Sequence, residues 1–405
     1  MQVQLKTAPA PVAPSGAAAL SGLSAISLGM IGLFGFLLPV MRLLDFAGGR
    51  VNASAADLLI LPVLFVLRGR LLHTGSLGYW LLALWTANLV SWALSISLLA
   101  PNVFQRQCIT LATCYLYALA GYVIGRGSRS RDALVRGLLW SAIPMAGYGI
   151  IAFFVQRPDW FFDSDGTRVA GTFGDANAFP IYLAVVLPLV ASAGIGWLTI
   201  PVFIGAGVVS FSRSGLAALG ASLGLGMAYL GLKRYLLVVI GCVAIFLAVY
   251  SAATRMTTVG RRLANYQGSL EERQSLWNRA FEVASRHPVF GIGKGNWEEA
   301  SRSRILPHNT FLSVMADGGL VGFGIFMIPI GVWVVRGLRR PAARPWAIAV
   351  CAGMVGGLAV SLDNFRPFWL VIGVLAAQLS LGAGYRAVAA PARARGRSPL
   401  NRHWS

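Results

Sequence analysis

Charge is what this chain has least of. Only 12% of its 405 residues are Asp, Glu, Lys or Arg, against about 25% in an ordinary soluble domain. Acidic groups are scarcest, 14 against 34 basic residues. The sole acidic pair with a metal-binding look is Asp163-Ser164-Asp165, which resembles the DxD of nucleotide-sugar transferases. It is one short match in a polar loop on the side of the membrane away from nucleotide sugars, so no metal site is expected. The four cysteines, Cys108, Cys114, Cys242 and Cys351, all lie in apolar segments without metal-ligand spacing. No repeat of 20–50 residues is present, which excludes solenoids and propellers. Gly291-Ile292-Gly293-Lys294-Gly295 lacks the spacing and the Ser/Thr of a phosphate-binding nucleotide loop and reads as a flexible turn. No convincing cleavage site follows the first apolar run, so that run reads as a retained helix. No cofactor is implied.

What is abundant is apolar sequence: 56% hydrophobic residues and a mean hydropathy of +0.67. Repeated runs of about 20 apolar residues indicate a polytopic membrane protein. The runs lack the alternation of barrel strands, and backbone polar groups in a bilayer core must be satisfied internally, so helices are expected. About twelve spans are placed, near 20–41, 54–67, 76–99, 104–125, 133–156, 176–196, 198–212, 214–231, 235–252, 310–335, 346–362 and 368–385. The expected fold is all-α. A disordered N-terminus covers 1–18, nine transmembrane helices 19–252, a helical cap 253–309, three more spans 310–385, and a basic tail 386–405.

The net charge of +20 does not mark nucleic-acid binding, because the basic residues collect in short loops and the tail, as the positive-inside rule predicts. With the N-terminus inside, Arg68, Arg70, Arg126, Arg129, Arg131, Arg136, Lys233, Arg234, Arg336, Arg339, Arg340 and Arg344 fall in the cytoplasm. The 157–175 loop, Arg213, the 253–309 stretch and Asp363-Asn364-Phe365-Arg366 fall outside.

The outer side carries the candidate chemistry. Ser269-Leu270-Glu271-Glu272 has the form of a capping box and predicts a helix start. Arg273, Trp277, Ala280 and Ala284 then share one helical face, and Pro288 ends the helix. Arg273 is either a site cation or part of a solvated face. His308 precedes Asn309 at the mouth of an apolar run, where a histidine can serve as a general base or as a structural residue. Arg213 sits between apolar runs with no acidic neighbour in sequence. Intramembrane arginines usually face a polar cavity on a substrate path, the alternative being a loop arginine at the membrane edge. Arg168 adds a cation, with Asn177 at the mouth of the next span. Asp363 and Arg366 form a possible pair, functional or a surface salt bridge. Several arginines and one histidine on one side suggest a diphosphate pocket with a base beside it, because guanidinium forks match phosphate oxygens.

Over residues 165 to 370 these motifs resemble the O-antigen ligase superfamily, which includes O-antigen and exopolysaccharide polymerases. The motifs are Arg168-x-x-Gly171-x-Phe173 with Asn177; Ser212-Arg213; Arg273-x-x-x-Trp277-x-x-Ala280; Pro288-x-x-Gly291-x-Gly293; His308-Asn309-x-x-Leu312; and Gly318-Gly319 with Gly322. The resemblance implies a metal-independent, inverting glycosyltransferase of the bacterial inner membrane, with its active site facing the periplasm. The donor would be a glycan on undecaprenyl diphosphate and the acceptor lipid A–core or a growing glycan. It assigns Arg213 and Arg273 to the diphosphate and His308 to activation of the acceptor hydroxyl. Arg168, Asn177, Asn309, Asp363 and Arg366 line the same outer surface and are candidate donor- or substrate-binding residues. The outer stretch is short for the superfamily, whose protein-glycosylating members carry large extra domains, so a protein acceptor is not expected.

Three readings compete. Ligase and polymerase share fold and motifs, and the single histidine with two arginines fits the ligase better. A transporter for a lipid-linked glycan would spread polar residues through both halves of the membrane, whereas here they cluster outside. A purely structural subunit leaves Arg213 unexplained.

Overall fold

The computed structural model describes residues 23–40, 44–46, 51–95, 101–155, 158–163, 168–231, isolated positions between 236 and 244, and 266–394. The expected disordered N-terminus, most of the ninth span and the first part of the 253–309 stretch lie outside these residues. Within them the chain is almost wholly helical. The helices are α1 (Ala25–Leu37), α2 (Asp57–Val66), α3 (Gly75–Leu94), α4 (Pro101–Gly125), α5 (Ser128–Val155), α6 (Ala178–Val190), α7 (Gly196–Val209), α8 (Arg213–Tyr229), α9 (Tyr266–Arg286), α10 (Trp297–Ser301), α11 (Thr310–Leu338), α12 (Arg344–Gly356) and α13 (Arg366–Ala394). A small antiparallel hairpin, Leu44–Phe46 with Val51–Ala53, follows α1.

Four helical segments are long and apolar enough to cross a bilayer: Gly75–Leu94, Val103–Gly125, Ser128–Val155 and Thr310–Leu338. Among the described residues four such spans are therefore established, together with shorter apolar helices, and not the full twelve. The second expected span is the ten-residue α2 behind the hairpin. At 1.5 Å per residue, the 13 residues of α6 reach about 20 Å, short of a hydrocarbon core of about 30 Å. A π-helical turn, Ala191–Ile195, containing Gly194 at φ 92°, joins α6 to α7.

The core surrounds α6. Every residue from Phe179 to Val190 is buried, as expected of a helix that is apolar on all sides. It packs against α8, α12, α7 and α5. The closest pairing joins α4 to α13. There Gly121 lies against the Leu370 backbone and Gly373 against that of Ala118, so any side chain at either position would collide with main chain. Small residues at such crossings let backbones approach. Trp80 ties α3 into the bundle, stacking on Trp369 and donating its indole N–H to the Ile325 carbonyl at 2.7 Å.

A second, smaller core holds the cap. Ala280 and Val283 of α9 meet Ile292, Trp297, Leu312 and Ala316, with Trp277 packed alongside. Burying Val283 or Ile292 contributes roughly 1.5–3 kcal/mol each. The expected shared face of Trp277, Ala280 and Ala284 is thus the packing face. The expected capping box is not: α9 already runs at Tyr266, so Ser269 lies inside the helix. The local Ser-x-x-Glu pattern matched, but upstream residues continue the helix.

The glycine-rich turn after α9 docks into a break in α11. Gly319 has φ 60° and ψ −162°, a region open essentially to glycine. Backbone groups freed there find partners across the turn: Leu320 donates to Pro288 at 2.8 Å, Val321 to Val289 at 3.1 Å, Ile292 to Ala316 at 2.9 Å and Gly293 to Asp317 at 2.8 Å. Ser91 of α3 donates to both Phe290 and Asp317 carbonyls, at 2.5 and 2.8 Å. A broken helix in an apolar setting persists only when its backbone is re-satisfied in this way.

Candidate active site

Three helix beginnings build the site. Ser212 caps α8, its hydroxyl accepting from Gly215 N–H at 3.1 Å and donating to Asn177 Oδ1 at 3.0 Å. This ties the mouth of α6 to the residue preceding Arg213. Asn309 caps α11, accepting from Phe311 and Leu312 N–H at 3.0 and 3.1 Å. Thr310 then anchors that end to the loop before α13: its N–H meets the Gly357 carbonyl at 2.7 Å, and its hydroxyl bridges Val360 and Leu362 at 2.7 and 2.9 Å. The positive ends of helices favour anions.

Two non-glycine residues hold positive φ immediately before these caps: Phe211 at 50° and His308 at 48°. Such backbone is uncommon outside glycine and concentrates at functional sites. His308 is set by its neighbours. On one side Asn309 is fixed as a cap. On the other, the Pro307 carbonyl accepts the Trp277 indole N–H at 3.0 Å. Arg273 lies one turn before Trp277 on α9, so this bond brings Arg273 and His308 to the same place.

The electrostatics agree with this placement. His308 keeps an exposed edge, yet its pKa is held below the ordinary histidine value, first by burial and next by Arg273; Asp175 and Glu272 oppose the shift. The Arg273 guanidinium is lowered by burial, then by Arg213 and Arg168, with Asp175 and Glu272 again opposing. Arg168, Arg213, Arg273 and His308 therefore form one cation-rich cluster from the 168–173 loop, α8, α9 and the start of α11. A dianionic group between the arginines would relieve their mutual repulsion, while a neutral imidazole beside it can accept a proton.

Other expected residues are placed differently. Arg168 is tied to Asp163, Nε to Oδ2 at 2.7 Å, which also takes up the described half of the Asp163-Ser164-Asp165 motif. Asn177 serves the Ser212 link. Arg366 makes a two-point fork to Asp57, Nε–Oδ1 at 2.8 Å and Nη2–Oδ2 at 2.9 Å, and Tyr117 donates to the same carboxylate at 2.8 Å. The side chain of Asp363 lies outside the described residues. Asp175, exposed in the turn before α6 with Oδ1 held by Asn177 N–H at 2.8 Å, is the residue the sequence reading passed over. An acidic group three residues after Gly171-Thr172 in a cation-rich surface was the available signal. Asp57 could have been noticed as a lone acid opening an apolar run.

Fold and site together describe a helical, membrane-type protein with a cation-rich cluster beside a histidine. A family model described as O-antigen ligase matches residues 198–327, and this match supports membership of the O-antigen ligase superfamily. The matched segment contains Arg213, Arg273, His308 and Asn309; Arg168, Asn177, Asp363 and Arg366 lie beyond it. No curated protein and no solved structure matches the chain.

Proposed function

We propose that this protein is a metal-independent, inverting glycosyltransferase of the bacterial inner membrane. It takes a glycan from undecaprenyl diphosphate on the periplasmic side and joins it to a hydroxyl of lipid A–core. The observation that carries this reading is that Arg213 and Arg168 lie close enough to Arg273 to act on it, and Arg273 in turn acts on His308, whose pKa is held below the ordinary histidine value. In the reaction the acceptor oxygen bonds to the anomeric carbon from the face opposite the leaving group. Its proton passes to His308. The bond from the anomeric carbon to the diphosphate oxygen breaks, and the departing charge falls to Arg213 and Arg273. Donors already aimed at developing charge supply much of enzymatic rate enhancement, and a positioned base adds about 10²–10⁴-fold. Arg168, braced by Asp163, reinforces the anion site, and Asn177 and Asn309 hold the helix ends that frame it.

Purified protein in lipid nanodiscs, given a lipid-linked glycan with or without lipid A–core, tests the proposal. Transfer to lipid A–core that survives a chelator is expected. Growth of the glycan without lipid A–core identifies a repeat-unit polymerase instead, and loss of activity restored by Mg²⁺ overturns the metal-free mechanism.

A further inference from the structure

The far end of α11 from His308 carries a second feature that the transfer chemistry does not use. Ile328, Gly331, Val332, Val335, Arg336 and Arg339 recur at helical spacing and form one outward stripe. With Met327 they line an open groove of about 470 Å³, within the 300–1,000 Å³ range of small-molecule sites. Its apolar walls face outward: Ile328 is 68% and Val335 50% exposed. A side chain at Gly331 would meet nothing within 4 Å, so the glycine leaves the floor of the groove open.

The arginines at its end divide by role. Arg340 and Arg344 turn inward and donate to the Leu379 and Leu338 carbonyls at 2.6 and 2.9 Å. The side chains of Arg336 and Arg339 make no hydrogen bond or ion pair with the described residues. The sequence holds no acidic residue from Gly318 to Ser361 to neutralise them. From Ile328 to Arg339 the stripe rises about 16 Å, close to half of a hydrocarbon core of about 30 Å. The groove therefore has about the length of one leaflet, with two cations at one end.

We infer that this groove is a binding site for an anionic phospholipid, an acyl chain lying along Ile328, Gly331, Val332 and Val335 and the phosphate gripped by Arg336 and Arg339. Guanidinium groups suit such phosphates through paired N–H donors, and basic residues at the membrane surface select anionic lipids. The bound lipid would pin the end of α11 opposite the candidate active site.

The experiment is native mass spectrometry of the protein released from nanodiscs of equal parts phosphatidylglycerol and phosphatidylcholine. The unaltered chain should retain phosphatidylglycerol preferentially. Arg336→Gln/Arg339→Gln should lose at least five-fold of that retention, with phosphatidylcholine unchanged. Arg129→Gln/Arg136→Gln, which removes the same charge elsewhere, should retain it. Excess inorganic phosphate should not displace the lipid. Equal retention by the first double variant, equal loss by the second, or displacement by inorganic phosphate would each overturn the site.

Discussion

The indole N–H of Trp277 meets the carbonyl of Pro307 at 3.0 Å, and through that bond α9 fixes the residue next to His308. Trp277→Phe keeps most of the packing and removes the donor. Loss of one such bond costs about 1 kcal/mol of stability. The effect on transfer should be larger, about tenfold or more in kcat with little change in donor KM, because a displacement of about 1 Å can cost ~100-fold. Unchanged kcat in steady-state assays would show that His308 does not depend on this tether.

The pH dependence follows from the sign of the His308 shift. A base must be unprotonated, and the imidazole is held below its ordinary value of 6.5 by burial and by Arg273. Activity should therefore persist below that pH and fall only as the solution is acidified through the lowered pKa. Removing Arg273 removes a cation, so the residual activity of Arg273→Ala should show its acid limb at higher pH. Asp175→Asn removes an opposing anion and should move the limb to lower pH. Full activity of His308→Ala at every pH would sink the assignment of the base.

Arg213 and Arg273 are expected to act as forks rather than as point charges. Alanine at either position should slow transfer by about 10²–10³-fold, the cost typical of removing one donor to a developing oxyanion. Lysine restores the charge without the paired geometry and should recover only part of the loss. Donor titrations on the four single variants check this, and complete rescue by lysine would reduce the interaction to simple charge.

Much of the candidate site could be nominated before the fold because its members carry their chemistry in their residue types. Arg213 is a cation amid apolar residues, and His308-Asn309 marks the mouth of a helix. The face shared by Trp277, Ala280 and Ala284 obeys helical spacing, and that spacing survives folding. What escaped the sequence depends on distant partners. Arg366 was matched with Asp363, its neighbour in sequence, whereas the fork it makes is to Asp57, 309 positions away. The length of α6 was hidden because a buried helix and a membrane span have the same apolar composition.

The Asp57–Arg366 fork can be separated from substrate binding by stability. Its side chains are 22% and 10% exposed, so Asp57→Asn removes the charge that this fork sets against a largely buried guanidinium, and breaking a buried pair in this way typically costs about 3–5 kcal/mol. Replacing both residues with apolar ones of similar volume should restore much of that loss. If thermal stability and transfer recover together, the pair is structural. Recovery of stability with transfer still absent would place Arg366 among the residues that touch substrate.

Gly319 offers a test of the break in α11. Its φ of 60° with ψ of −162° is closed to residues with a side chain, and a Cβ there would collide with the Val289 carbonyl group. Gly319→Ala should therefore lose about 1–3 kcal/mol from backbone strain alone, and more from pushing the 288–293 turn out of its hydrogen bonds. That turn continues into the segment carrying Trp297 and Pro307, so the damage should reach His308. The expected result is a lowered thermal midpoint together with reduced transfer, while Gly322→Ala, which meets nothing within 4 Å, leaves both near their original values. Equal tolerance of alanine at the two positions would mean that α11 can run straight, and that the break is not what positions the cap.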